Sequence, residues 1–283
     1  MNFFYSLIEW LPFSWAQPGG MYFMKNALLA VFIIAPLFGI LSTMVVTSRM
    51  SFFSDALGHS AFTGIAVGIA CGLLDPLPVA VVGSIAFALL FSLAASRSDF
   101  SSDTIIGVFS ATAVALGIFI STLNGGSFAK FNALLIGDIL SITPSQLLLL
   151  FLVLLGVLLL WFFSFNHMML SSVHPALANS RGIHVFWQRA FFSVAIAVVV
   201  TISMTWIGLM VINSFLVLPA AAARNVSRNV RQYHLFSLLF AVAAGLAGLF
   251  TSYYLGSSTG AVITLYLALF FVGGFALRRL RQS

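Results

Sequence analysis

The sequence predicts an all-α membrane protein, a polytopic transmembrane helical bundle of about eight spans that include one short returning half-helix. Two observations carry this. Hydrophobic residues make up 61% of the chain and charged residues 6%, against roughly 45–50% and 25% in a soluble domain. The apolar residues also fall in blocks of the length a bilayer needs, roughly 20 residues for a helix. A soluble enzyme, a disordered chain and a secreted disulfide scaffold are excluded. Eighteen charged side chains cannot solvate the surface of a 283-residue globule.

The elements follow in order. Residues 1–20 read as an interfacial N-terminal arm, rich in aromatics (Phe3, Phe4, Tyr5, Trp10, Trp15) and lacking the basic start of a signal peptide. Residues 21–283 form the transmembrane domain. Spans are expected at 21–47, 56–74, 79–95, 104–123, 146–165, 190–204, 235–255 and 261–277. The breaks are Gly, Pro, Ser and Asn clusters: Asp75-Pro76-Leu77-Pro78, residues 96–103, Asn124-Gly125-Gly126 and residues 256–260. The 34 residues 190–223 carry no charge. Thr205-Trp206-Ile207-Gly208 is the natural break there, so a full helix, a sharp reversal and a half-helix over 209–223 are expected.

Charge asymmetry supports the reversal. With the N-terminus outside, Arg49, Arg97, Arg181, Arg189, Arg224, Arg228, Arg231, Arg278, Arg279 and Arg281 all fall inside, while Lys25 and Lys130 fall outside. Ten against two agrees with the positive-inside rule. A single crossing over 190–223 would move Arg224, Arg228 and Arg231 outside. The net charge of +6 therefore orients the chain in a lipid bilayer. It forms no basic stripe for nucleic acid. Cys71 cannot form an intrachain disulfide, being the only cysteine, and reads as a small buried side chain. No Walker A, H-E-x-x-H or G-x-S-x-G pattern occurs. The chain therefore cannot hydrolyse ATP alone, and nothing suggests an intramembrane hydrolase.

The informative segment is R-M-S-F-F-S-D-A-L-G-H-S-A-F-T-G-I-A-V-G-I-A-C-G at 49–72. Ala56, Ser60, Gly64, Gly68 and Gly72 repeat every four residues and predict a smooth packing face for a second backbone. Asp55 and His59, at i and i+4, project together beside that stripe. Ionisable groups inside a span usually face a partner or a watery path. A carboxylate with an imidazole suits zinc, manganese or iron. The plainer alternative is that Asp55 caps the helix and His59 only bonds to it. Two ligands are too few for a closed tetrahedral site and fit a transit site; a two-fold dimer would bring two Asp and two His together. The loop 166–189 contains H-P-A-L-A-N-S-R-G at 174–182. Pro175 suits a first helical position and Gly182 a C′ position, predicting a short helix that could dock a partner. His167, His174 and His184 read as solvated loop residues.

These segments resemble the membrane permease subunits of bacterial ABC importers for zinc, manganese or iron. The match runs through S-F-F-S-D-A-L-G-H-S-A-F-T-G at 51–64, S-D-T-I-I-G-V-F-S-A-T-A-V-A-L-G at 102–117 and L-L-I-G-D-I-L-S-I-T at 134–143. It continues through P-A-L-A-N-S-R-G-I at 175–183 and I-G-L-M-V-I-N-S-F-L-V-L-P-A-A-A-A at 207–223. The resemblance implies a homodimeric permease in the bacterial inner or plasma membrane. Its implied partners are a separate cytoplasmic ATP-binding subunit and an extracytoplasmic metal-binding protein. A divalent metal ion would be the transported substrate, and no cofactor would be bound permanently. The resemblance further implies that Asp55 and His59 line the ion path. Pro175, Ala176, Leu177, Ala178, Arg181 and Gly182 would couple to the ATPase. The position before the proline, often acidic in this family, is His174 here. A self-powered cation carrier using Asp55 and His59 is the competing class, and a sensor built on a transporter-like scaffold is a third. Dependence on a partner ATPase separates the first two, and loss of metal accumulation on deletion would exclude a purely structural role.

Overall fold

The computed structural model describes residues 5–6, 8–10, 15–123 and 137–280. Phe3, Phe4, Lys130, Arg281 and the break Asn124-Gly125-Gly126 lie outside the described residues. The long helices are α1 (Tyr22–Thr47), α2 (Phe53–Ala70), α3 (Leu77–Arg97), α4 (Ser102–Leu123), α5 (Pro144–Val173), α7 (Val185–Ile207), α8 (Leu209–Val226), α9 (Val230–Leu255) and α10 (Thr259–Leu280). A six-residue helix, α6 (Pro175–Ser180), follows α5, and a 3-10 turn (Ile139–Ser141) precedes it. Eight of the long helices are apolar and long enough to cross a membrane. The exception is α2, whose first half carries Ser54, Asp55, His59 and Ser60.

Burial sorts the helices into a centre and a rim. Most of α1, α7 and α8 is buried, whereas α4, α5 and α10 bury only a minority of their residues. The rim helices expose Leu116, Phe119, Leu152, Phe162, Leu265 and Leu269, side chains that suit lipid and not water. α1 packs between α9, α8 and α5, and α2 lies between α3 and α4. Close approach is bought with small residues, as expected where lipid removes the hydrophobic drive between helices. A Cβ on Gly39 would stand 3.0 Å from Ala241 Cβ. Beside it Ser237 Oγ donates to the Gly39 carbonyl at 2.7 Å.

Three expectations change. The returning helix after Gly208 is longer than expected: α8 has 18 residues, about 27 Å at 1.5 Å per residue, and ends at Val226 and not at residue 223. The inner loop is shorter than 166–189. α5 runs on to Val173 since no helix breaker occurs before Pro175, so His167 sits on a helix. Cys71 is exposed, because α2 ends at Ala70 and leaves it in the open turn. In the arm, Trp15 is 2% exposed and packs on Phe250 with ring centroids 6.0 Å apart, whereas Trp10 is 91% exposed.

The arm is tied down by polar contacts. Lys25, 1% exposed, pairs with Glu9 at 2.9 Å. Tyr5 donates to Asn26 Oδ1 at 2.6 Å, and Asn26 Nδ2 donates to the Ile142 carbonyl at 3.1 Å. One hydrogen-bonded chain thus joins the arm, α1 and the segment leading into α5.

Candidate functional site

Helix α2 begins without a side-chain cap: Phe52 occupies the cap position. Asp55 sits in the first turn, where the helix dipole favours a carboxylate. Its oxygens are spent on side chains and not on backbone amides. Oδ2 lies 3.3 Å from His59 Nε2, and Oδ1 accepts from Asn213 Nδ2 at 3.0 Å. The Asp55 side chain is 46% exposed and that of His59 16%. The pair therefore lies at the surface of the single protomer, within a helix otherwise buried on its opposite side. One turn on, Thr63 Oγ1 reaches the carbonyl oxygens of His59 (3.1 Å) and Ala113 (2.6 Å).

The small-residue stripe holds this surface in place. Ala56 is fully buried. Ser60 Oγ donates to Ser84 Oγ at 3.3 Å, and Thr201 Oγ1 donates to the same oxygen at 2.8 Å. That chain links α2, α3 and α7. A Cβ on Gly64 would stand 2.5 Å from Ala80 Cα, and one on Gly68 3.0 Å from Pro76 Cα. Gly72 lies beyond the helix with φ +74° and nothing near it, so it ends the helix and does not extend the packing face.

Asn213 arrives from α8, whose start is set by an unusual junction. Gly208 has φ 87°, ψ 146° and separates α7 from α8 with no intervening loop. Gly137, at φ +60°, lies so close that a side chain there would overlap the backbone of Ile207 and Gly208. Asp138 N donates to the Trp206 carbonyl at 3.1 Å. On α2, Gly58 makes room for the Leu209 side chain, which a Cβ would overlap. The crossing at Gly58 and Leu209 brings Asn213 beside Asp55. Sequence reasoning missed Asn213. Its only signal was an Asn-Ser pair in the apolar run 209–218.

Directly after α5, α6 begins at Pro175. Gly182, at φ +75°, closes it, with Ile183 N donating to the Ala178 carbonyl at 3.0 Å. Pro175, Ala176, Leu177, Arg181 and Gly182 are exposed; Ala178 is fully buried and anchors the helix from below. His167, His174 and Arg181 line an open cavity of about 690 Å³ beside α6.

Among the described residues no group of three or more His, Cys, Asp or Glu side chains occurs. The Asp55–His59 pair offers one anionic oxygen and one imidazole nitrogen, a set that binds first-row divalent ions without enclosing them.

Comparison with known proteins agrees with this architecture. The high-affinity zinc uptake system membrane protein ZnuB of Haemophilus influenzae is 26% identical over 87% of this chain and 94% of its own. The manganese import system permease protein ScaB of Streptococcus parasanguinis is 28% identical over 90% of each. The solved structure of PsaBC from Streptococcus pneumoniae in complex with Fab superposes with a TM-score of 0.77, at 27% identity and over 90% of this chain and 91% of that one. The profile of the ABC 3 transport family matches residues 20–278, and the chain belongs to that family.

Proposed function

We propose that the chain is the membrane permease of an ATP-driven importer that passes a divalent transition-metal ion, with Asp55 and His59 as its transit site. The observation that carries this is the half-open Asp55–His59 pair on α2, held by Asn213. An ion can reach this pair from the protomer surface and leave it again. A two-fold dimer that joined these surfaces would place two such pairs at one axial path. The named zinc and manganese relatives support the cargo class. ATP is hydrolysed on a separate cytoplasmic subunit, which docks on the exposed side of α6, and an extracytoplasmic binding protein delivers the ion.

The test uses Asp55→Asn and His59→Ala. Each is expected to reduce metal uptake strongly while expression and ATPase binding persist. Uptake is normalised to folded protein, because a merely structural pair would lower the amount of protein and leave uptake per folded molecule unchanged. Wild-type rates in both variants would send the ion along another path.

A further inference from the structure

Asn213 has an atom that the fold leaves unused. Its Nδ2 is spent on Asp55, while its Oδ1 is buried and accepts no hydrogen bond among the described residues. A buried acceptor without a donor is uncommon and asks for a partner. This one lies on the same amide that touches Asp55.

We propose that Asn213 is the third donor of the transit site, giving its Oδ1 to the cation and tilting the site toward manganese(II) over zinc. The inference rests on Asp55 and His59 being that site. With no cation present, Nδ2 faces Asp55 and partly offsets its charge. A cation beside Asp55 repels the N–H dipoles of Nδ2. A half-turn about the terminal torsion of Asn213, which is broad and nearly two-fold, exchanges Nδ2 for Oδ1. The amide oxygen adds a ligand without adding charge, so the ion gains coordination and can still depart. Carboxylate and carbonyl oxygens suit manganese, whereas zinc favours nitrogen and sulfur in four-coordinate sites. In the proposed dimer the donors double to four oxygens and two nitrogens, a set matched to six-coordinate manganese.

The test compares Asn213→Ala, Asn213→Asp and Asp55→Asn in the assembled importer. Manganese uptake is measured with zinc as competitor and normalised to folded protein. Asn213→Ala is expected to lower manganese uptake at least about tenfold, the range seen when a ligand's supporting group is removed, and to shift the manganese-to-zinc ratio toward zinc. Asn213→Asp keeps an oxygen and loses the N–H donor, so the preference for manganese over zinc should be retained, at a lower rate because the added charge holds the ion. A residue that merely positions Asp55 through Nδ2 predicts the reverse, with Asn213→Asp losing that preference as badly as Asn213→Ala, and that result overturns the proposal. Wild-type uptake and ion preference in Asn213→Ala, with uptake lost in Asp55→Asn, overturns it while leaving the transit site standing. Wild-type uptake in Asp55→Asn as well removes the transit site itself.

Discussion

Gly64→Ala measures how tightly α2 is clamped. The new Cβ would stand 2.5 Å from Ala80 Cα and 3.2 Å from Ala80 N, both backbone atoms that no rotamer change can move. Ordinary carbon–carbon contact begins near 3.5 Å, so α2 and α3 must separate by about an ångström. The same interface holds the Ser60–Ser84 hydrogen bond, already 3.3 Å long, which an ångström more would break. Overpacking of this kind costs about 1–3 kcal/mol, and the lost bond adds about 0.6 kcal/mol in a membrane. Alanine's better helix propensity offsets about 1 kcal/mol. The net loss is about 1–3 kcal/mol, or roughly 2–10 °C in the unfolding midpoint of a chain this size. The control is Gly156→Ala on the outer face of α5, where nothing lies within 4 Å and only the propensity gain remains. Thermal unfolding of the purified protein in detergent, followed by intrinsic tryptophan fluorescence, reads both. If Gly64→Ala melts with Gly156→Ala, the close approach of α2 and α3 is not what holds the helix pair.

Other outcomes follow from single contacts. Gly137→Ala combines a left-handed backbone with overlap onto Ile207 and Gly208, for a loss of about 2–5 kcal/mol; Gly72→Ala, at a similar φ in open space, should lose only the backbone share, about 1–2 kcal/mol, and equal midpoints would refute the difference. In intact cells an impermeant thiol reagent should label the exposed Cys71 from outside. In a Cys71→Ser background Ser227→Cys should label only after permeabilisation, and ready external labelling would reverse the direction of α8. Leu177→Asp, at a position 44% exposed, should weaken ATPase pull-down and stimulated ATP hydrolysis without unfolding the protein, whereas Ala178→Asp should lower the amount of folded protein because that site is fully buried.

The helices were legible because the membrane demands long apolar runs and punishes any other backbone arrangement. Gly208 was legible as a junction because it sits between two such runs. So were Pro175 and Gly182, whose backbone preferences act locally. Asp55 and His59 could be paired from sequence alone, since four residues on a helix fix their mutual distance. What the chain did not disclose is contact between elements far apart in sequence. Asn213 meets Asp55 across 158 residues, and Thr201 meets Ser84 across 117. No periodicity encodes either meeting. The exposure of Cys71 was misjudged, and the burial of Trp15 was not foreseen, for a related reason. Residue type sets an average burial, but the end of α2 and the surface of α9 decide the particular case.

The seat of Gly137 on Gly208 has a thermodynamic corollary. Two segments in direct backbone contact share one equilibrium, and linkage runs equally in both directions. If displacing residues 137–142 loosens the start of α8, and with it the amide that touches Asp55, the coupling is reciprocal. Conversely, whatever fixes that amide favours the seated position of residues 137–142. Measured as binding constants, the two effects must be of equal size.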